Sequence, residues 1–243
     1  MPEASRAPAC GKDRIIVALD VPTADEALAC AARLDGHVGL VKVGLELFVS
    51  EGPSVVRALA ERHPDLEIFL DLKLHDIPNT MRGAVRAARG LGVRFLTVHA
   101  GAGTDHLRAC VEEAGGALGI LAVTVLTSQD ARACAEAGAT RTIEELVTMR
   151  ARCAAAAGCA GVVCSGKELA VVRAAAPGLA TVVPGIRPAG ANVDDQKRVM
   201  TPGRAVRNGA DYLVVGRPIR NAPDPAAAAD AIAAEIDAAL AGG

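Results

Sequence analysis

Charged and hydroxyl side chains stand where the apolar stretches of this chain stop. Asp20 follows the run 15–19, Lys42 lies within 40–43, Asp71 and Lys73 mark the end of 68–72 with Asp76 just beyond, and His99 follows 95–98. Further on, Thr127 and Ser128 follow 120–125, Ser165 follows 161–164, Arg187 follows 180–183, and Gly216-Arg217 follows 212–215. A charge inside an apolar strand is costly unless paired, and these two lysines and three aspartates can satisfy one another. Strand side chains alternate, so Asp71 and Lys73 are expected on one face, with Leu70, Leu72 and Leu74 on the other. Held between Asp71 and Asp76, Lys73 is expected to stay an ammonium and to donate a proton. A Schiff-base amine would instead need a desolvated, neutral lysine, and a purely structural ion-pair network is the third reading of the same charges.

A second cluster has the chemistry of anion binding. Pro184-Gly185-Ile186-Arg187-Pro188 and Gly216-Arg217-Pro218 each place an arginine near a glycine. Glycine lets a ligand approach the backbone, and the guanidinium fork matches phosphate oxygens. Each motif alone also fits a solvated loop. Between them the segment 188–199, which carries Gln196, is long enough to fold over a ligand as a lid. His75 and His99 show no His-x-His spacing and read first as structural. Asp71, Asp76 and His99 could in principle collect Mg²⁺, but Lys73 between the carboxylates competes for them, so no metal site is expected.

What must position these groups is legible in the spacing. The eight runs 15–19, 40–43, 68–72, 95–98, 120–125, 161–164, 180–183 and 212–215 are nearly all apolar, as strands buried on both faces are. Ala-rich segments of helical spacing separate them. Thr23 with Glu26 reads as a capping box ahead of a helix over 27–34, and Thr201-Pro202 and Asp224-Pro225 read as cap-plus-proline openings. Eight such β/α units predict a single α/β domain, a (β/α)8 TIM barrel over 14–243 preceded by an N-terminal extension, 1–13. An open doubly wound sheet is the alternative, but Leu19-Asp20-Val21-Pro22 is not the Gly-rich turn it would normally carry. In a barrel, catalytic groups sit at the carboxyl ends of strands, which is where the polar residues fall.

Composition removes other classes. Lys+Arg 26 against Asp+Glu 28 gives −2, with no basic excess for a nucleic-acid backbone. Aromatic residues are 2%, leaving neither a stacking platform nor a membrane belt, so Ala, Val, Leu and Gly are expected to build the core. The seven cysteines form an odd set without Cys-x-x-Cys and are expected to be reduced and mostly buried. The first 14 residues lack the apolar stretch of a signal peptide, and no later run reaches about 18 strongly apolar residues. The expectation is a soluble, cytoplasmic protein with neither nucleic-acid nor membrane partners.

Seven segments carry a closer likeness: Val17-Ala18-Leu19-Asp20, Val41-Lys42-Val43-Gly44, the stretch from Phe69 through Asp71-Leu72-Lys73-Leu74-His75-Asp76-Ile77-Pro78-Asn79-Thr80, Thr97-Val98-His99-Ala100, Val123-Thr124-Val125-Leu126-Thr127-Ser128, Val183-Pro184-Gly185-Ile186-Arg187-Pro188 and Val215-Gly216-Arg217-Pro218-Ile219. In this order, across nearly the whole chain after Arg14, they resemble the bacterial form of orotidine 5′-phosphate decarboxylase. The Asp-x-Lys-x-x-Asp-Ile-Pro-Asn-Thr segment is highly specific, whereas the Gly-Arg ending is shared by many phosphate-binding barrels. The resemblance implies conversion of orotidine 5′-monophosphate to UMP and CO₂, the last step of de novo pyrimidine nucleotide (UMP) biosynthesis, with no metal or organic cofactor. It makes Lys73 the acid that protonates C6, Asp71 the carboxylate facing the departing CO₂, and Asp20 and Lys42 the rest of the charged array. It also implies a homodimer, with Asp76 and Thr80 reaching into the partner's site. Thr127 would contact the pyrimidine, while Arg187, Gln196, Gly216 and Arg217 would hold the phosphate. Two alternatives stand beside it: the related sugar-phosphate decarboxylase and aldolase barrels, which share Asp-x-Lys-x-x-Asp but use Mg²⁺ on an enediolate, and a catalytically silent phosphate-binding barrel.

Overall fold

The computed structural model describes residues 8–188 and 200–242. Eight parallel strands close into a barrel in sequence order: β1 (Ile15–Ala18), β2 (Leu40–Val43), β3 (Glu67–Leu74), β4 (Phe95–His99), β5 (Gly119–Val123), β6 (Gly161–Val163), β7 (Ala180–Val183) and β8 (Tyr212–Val215), with β8 pairing back onto β1. Helices α1 (Ala24–Ala32), α2 (Leu45–Glu51), α3 (Pro53–Arg62), α4 (Pro78–Arg89) and α5 (Thr104–Ala114) follow the first four strands. Helices α6 (Ala131–Glu136), α7 (Ile143–Ala157), α8 (Leu169–Ala175), α9 (Pro202–Arg207), α10 (Arg217–Arg220) and α11 (Pro225–Ala241) complete the outer ring. The expected barrel is thus the observed one.

Alternation along the strands sorts the core into two layers. Ile15, Val17, Val41, Val43, Ile68 and Leu70 point outward into the helix-covered layer, while Ile16, Leu40, Phe69, Phe95, Leu121 and Tyr212 fill the barrel interior. Here composition alone misleads. The aromatics are few, yet Phe69, Phe95 and Tyr212 meet edge to face inside the barrel, with ring centroids 6.3 and 5.5 Å apart. A closed eight-stranded sheet leaves an interior that side chains must fill, and these three rings supply the bulk that Ala and Val lack. Lys42, Asp71 and Thr97 share this inward register higher up, which is how polar groups come to face one another at the carboxyl end.

The helix starts follow the sequence in two of three cases. The Thr23 side chain accepts from the Glu26 N–H, opening α1 three residues earlier than the apolar spacing predicts, although the expected box stays half-made because Glu26 Oε1 accepts from the Thr23 hydroxyl rather than its N–H; Asp224 accepts from Ala227 ahead of Pro225. Thr201 precedes Pro202 but makes no side-chain cap to α9, so the proline alone sets that start. Strand β5 stops earlier than its apolar run because the Thr124 carbonyl accepts from the Arg150 guanidinium. Of the expected extension, residues 8–13 are described. Gly11 donates to Asp237 Oδ1 at 2.6 Å and lies so close to the Ala233 carbonyl that a Cβ there would collide with it. All seven cysteines are free, and burial pushes the Cys110 and Cys159 thiols up to about 11 and about 12, which leaves them protonated and inert. Among the described residues no helix is long and apolar enough to cross a membrane.

Candidate active site

At the carboxyl end of β1 to β3 the inward register produces a row of alternating charge. Lys42 Nζ lies 3.0 Å from Asp20 Oδ1 and 3.5 Å from Asp71 Oδ2, and Lys73 Nζ donates to the same Asp71 oxygen at 2.8 Å. The Lys42 and Asp71 side chains are both 11% exposed, so this is a largely desolvated array whose charges depend on one another. Burial by itself would push the Asp71 carboxyl up. The Lys42 and Lys73 ammoniums, with hydrogen bonds from Lys73 and Thr97, overcome that cost and hold it below the ordinary carboxylate range. Asp71 therefore stays an anion as pH falls further than an isolated carboxyl would.

Lys73 reaches this place by an irregular route. Leu70 pairs with Leu96 and Leu74 with Val98, so four steps along β3 span two along β4. Within this bulge Lys73 has φ +50°, the only positive φ outside glycine among the described residues. Such a backbone costs on the order of 1–3 kcal/mol and persists only where neighbours enforce it. The Lys73 N–H donates to Thr97 Oγ1 at 2.9 Å, and that hydroxyl in turn donates to Asp71 Oδ1 at 2.9 Å. Because the bulge adds an even number of residues, Asp71 and Lys73 keep the common face that alternation predicts, and Leu70, Leu72 and Leu74 remain on the helix-facing side.

A cavity of about 180 Å³ opens over this row. Lys42, Asp71 and Lys73 form its charged wall; Leu126, Thr127 and Pro184 approach from the other side, and Phe69 and Val214 close the floor. Gly44 leaves room beside it: a Cβ there would stand 2.9 Å from Lys42 Nζ and 3.2 Å from Asp20 Oδ1, pressing on their ion pair. On the far side of Asp20, Arg220 Nη1 lies 4.0 Å from Oδ2.

The other expected residues lie further out. Arg187 is buried, with Nη1 donating to the Ile186 carbonyl at 2.9 Å and its own N–H to the Met200 carbonyl at 3.0 Å. Gly216 caps α10, and Arg217 begins it half-buried; among the described residues, a Cβ on Gly216 would meet only Ala18 Cβ, at 3.7 Å. Gln196 and the proposed lid fall outside the described residues. Asp76 requires a correction. Rather than flanking Lys73, it is exposed and accepts the Ile77 N–H at 2.7 Å, and Asp71 is the carboxylate that pairs with Lys73 among the described residues. The chain leaves β3 at Leu74 and turns outward into α4, which carries Asp76 and Thr80 away from their own charged row to an exposed edge.

His75 and His99 lie with ring centroids 5.5 Å apart and planes tilted by 42°, and burial, with the His75 and Lys73 charges, pulls His99 below its ordinary value. Among the described residues no cluster of His, Cys, Asp and Glu is placed to hold a metal ion. Thr97, Gly44 and Arg220 are the neighbours whose roles spacing alone did not reveal. For Thr97 a signal existed: it sits two residues from Phe95, on the inward face of an otherwise apolar strand.

Comparison with known proteins agrees with this geometry. The family model described as Orotidine 5′-phosphate decarboxylase / HUMPS family matches residues 13–232. A curated orotidine 5′-phosphate decarboxylase of Anaeromyxobacter sp. is 55% identical over 225 residues, 92% of this chain and 98% of the relative. That of Moorella thermoacetica is 50% identical over 236 residues, covering 93% of each chain. Among solved structures, the orotidine 5′-phosphate decarboxylase of Lactobacillus acidophilus superposes with a TM-score of 0.81 at 35% identity, over 93% of this chain and 99% of that one. With a matching family model over most of its length and relatives at half identity, this chain belongs to the Orotidine 5′-phosphate decarboxylase / HUMPS family.

Proposed function

We propose that this protein converts orotidine 5′-monophosphate to UMP and CO₂, the last step of UMP biosynthesis, with Lys73 delivering the proton to C6. The observation that carries this is the Lys42–Asp71–Lys73 row lining one cavity with Thr127, in a chain whose curated relatives are named for that reaction. The C6–carboxyl bond breaks, its electron pair stays on C6, and a proton from Lys73 Nζ forms the new C–H bond. That electron pair occupies an sp² orbital outside the ring π system, so it must be stabilised by the field of the site. One ammonium at about 4 Å, at an effective dielectric near 20, contributes about 4 kcal/mol. Enzymes commonly lower barriers by roughly 8–23 kcal/mol. The rest is assigned to the preorganised row and to phosphate binding energy realised in the transition state. Asp71, facing the substrate carboxylate, would add ground-state repulsion, and Asp20 with Lys42 would hold the ribose side.

No metal or organic cofactor enters this scheme. The Lys42 and Lys73 ammoniums already take Asp71 Oδ2, the oxygen a divalent cation would compete for. The deciding experiment is the decay of orotidylate absorbance with purified protein in EDTA. Sustained turnover is expected. No turnover overturns the assignment, and turnover that stops with the chelator favours the Mg²⁺-dependent sugar-phosphate barrels.

Arg187, Gln196, Gly216 and Arg217 are assigned to the phosphate, in a single domain working in the cytoplasm. Losing a hydrogen bond between charged groups costs about 1.5–3 kcal/mol. Arg217→Ala is therefore expected to raise KM by roughly ten- to a hundredfold, and a variant of ordinary KM in steady-state assays removes this contact. The active unit is proposed to be a homodimer in which Asp76 and Thr80 serve the partner's site; their exposed position away from their own lysines supports that reading.

A further inference from the structure

We infer that Thr97 is the positioning residue for the proton donor: its single hydroxyl ties the Lys73 backbone and the Asp71 carboxylate into one rigid unit. The inference rests on the decarboxylase reading for its effect on rate, though not for the contact itself.

The hydroxyl has one proton and two jobs. Accepting the Lys73 N–H at 2.9 Å uses a lone pair, which leaves the O–H free to donate to Asp71 Oδ1 at 2.9 Å. Asp71 then offers its other oxygen to the two ammoniums, at 2.8 Å from Lys73 and 3.5 Å from Lys42. Thr97 is fully buried on β4, and the stiff rotamer of a β-branched residue holds its hydroxyl in one place. The bulge opposite denies the Lys73 N–H a regular strand partner, and the φ of +50° at Lys73 needs an external clamp. Without the hydroxyl, the half-buried Lys73 donor and a buried carboxylate oxygen lose their partners together, and both sit within two residues of the reacting ammonium.

Thr97→Val keeps shape and removes the hydroxyl, whereas Thr97→Ser keeps the hydroxyl and removes a methyl. In Val, kcat for orotidylate is expected to fall at least about tenfold with KM within about threefold of wild type, and Ser should recover kcat to within about threefold. Should Val fail to fold, Thr97→Ala takes its place with the same expectation against Ser. Amide hydrogen exchange at Lys73, resolved by NMR, reads the contact without substrate. It should quicken at least about tenfold in Val or Ala and return toward wild type in Ser. Wild type that does not turn over orotidylate sinks the decarboxylase reading, and exchange at Lys73 then decides the contact by itself. Unchanged kcat and unchanged Lys73 exchange in Val, or equal losses in Ser and Val, overturn the role assigned to Thr97, as does a loss confined to KM.

Discussion

Lys73→Ala is expected to lower kcat for orotidylate by about a thousandfold or more while nucleotide still binds. An ammonium at about 4 Å from the developing charge contributes about 4 kcal/mol at an effective dielectric near 20, and each 1.36 kcal/mol is about tenfold in rate. The variant also removes the proposed proton source, so this figure is a lower bound. The fold should survive, because Asp71 keeps Lys42 at 3.5 Å and Thr97 at 2.9 Å as partners for its buried carboxylate. Binding should survive too, because the arginines assigned to the phosphate stand at the ends of β7 and β8, across the barrel from β3. Calorimetric titration with UMP, beside the absorbance assay, separates the two effects. An unchanged kcat would strike Lys73 from the reaction.

Two inactive variants, Lys73→Ala and Asp76→Ala, are expected to restore each other when coexpressed, to about a quarter of wild-type specific activity. The figure follows from symmetry. If a dimer builds each site from Lys73 of one chain and Asp76 of the other, random pairing makes about half the dimers mixed, and each mixed dimer has one intact and one doubly damaged site. The structural ground is the outward path of the chain after β3, which leaves Asp76 exposed and bonded to its own loop, next to Ile77 at 66% exposure. An apolar side chain that exposed beside Asp76 suits a surface that another chain covers. Activity in the mixture no greater than the sum of the separate variants would mean that each chain is self-sufficient, and would return Asp76 to a role within its own loop.

How far residue types and spacing carried the reading differs by element. Strands β2, β7 and β8 have the bounds their apolar runs predict, because a strand buried on both faces is nearly all apolar and stops where it meets water. β5 is shorter and β3 longer than their runs, and each departure comes from a contact with a distant partner: Arg150 on the Thr124 carbonyl, and the Leu74–Val98 pairing beyond the bulge. Asp71 and Lys73 were legible as neighbours because they are two residues apart on one strand. That Asp76 does not join them was not legible, since the turn after Leu74 depends on where α4 packs.

Local periodicity was thus enough for the barrel and the polar rim at the carboxyl ends of its strands, because alternation and run length are properties of a few consecutive residues; the family likeness came separately, from the residues of the motifs themselves. The tertiary structure was needed for everything between strands. Closure packs three aromatic rings into the interior, strand pairing brings Lys42 of β2 within 3.5 Å of Asp71 on β3 and sets Thr97 of β4 beside Asp71 and Lys73, and the packing of α4 turns Asp76 away. Those contacts join residues far apart along the chain, and their distances depend on stagger and bulge, which no short window of sequence contains.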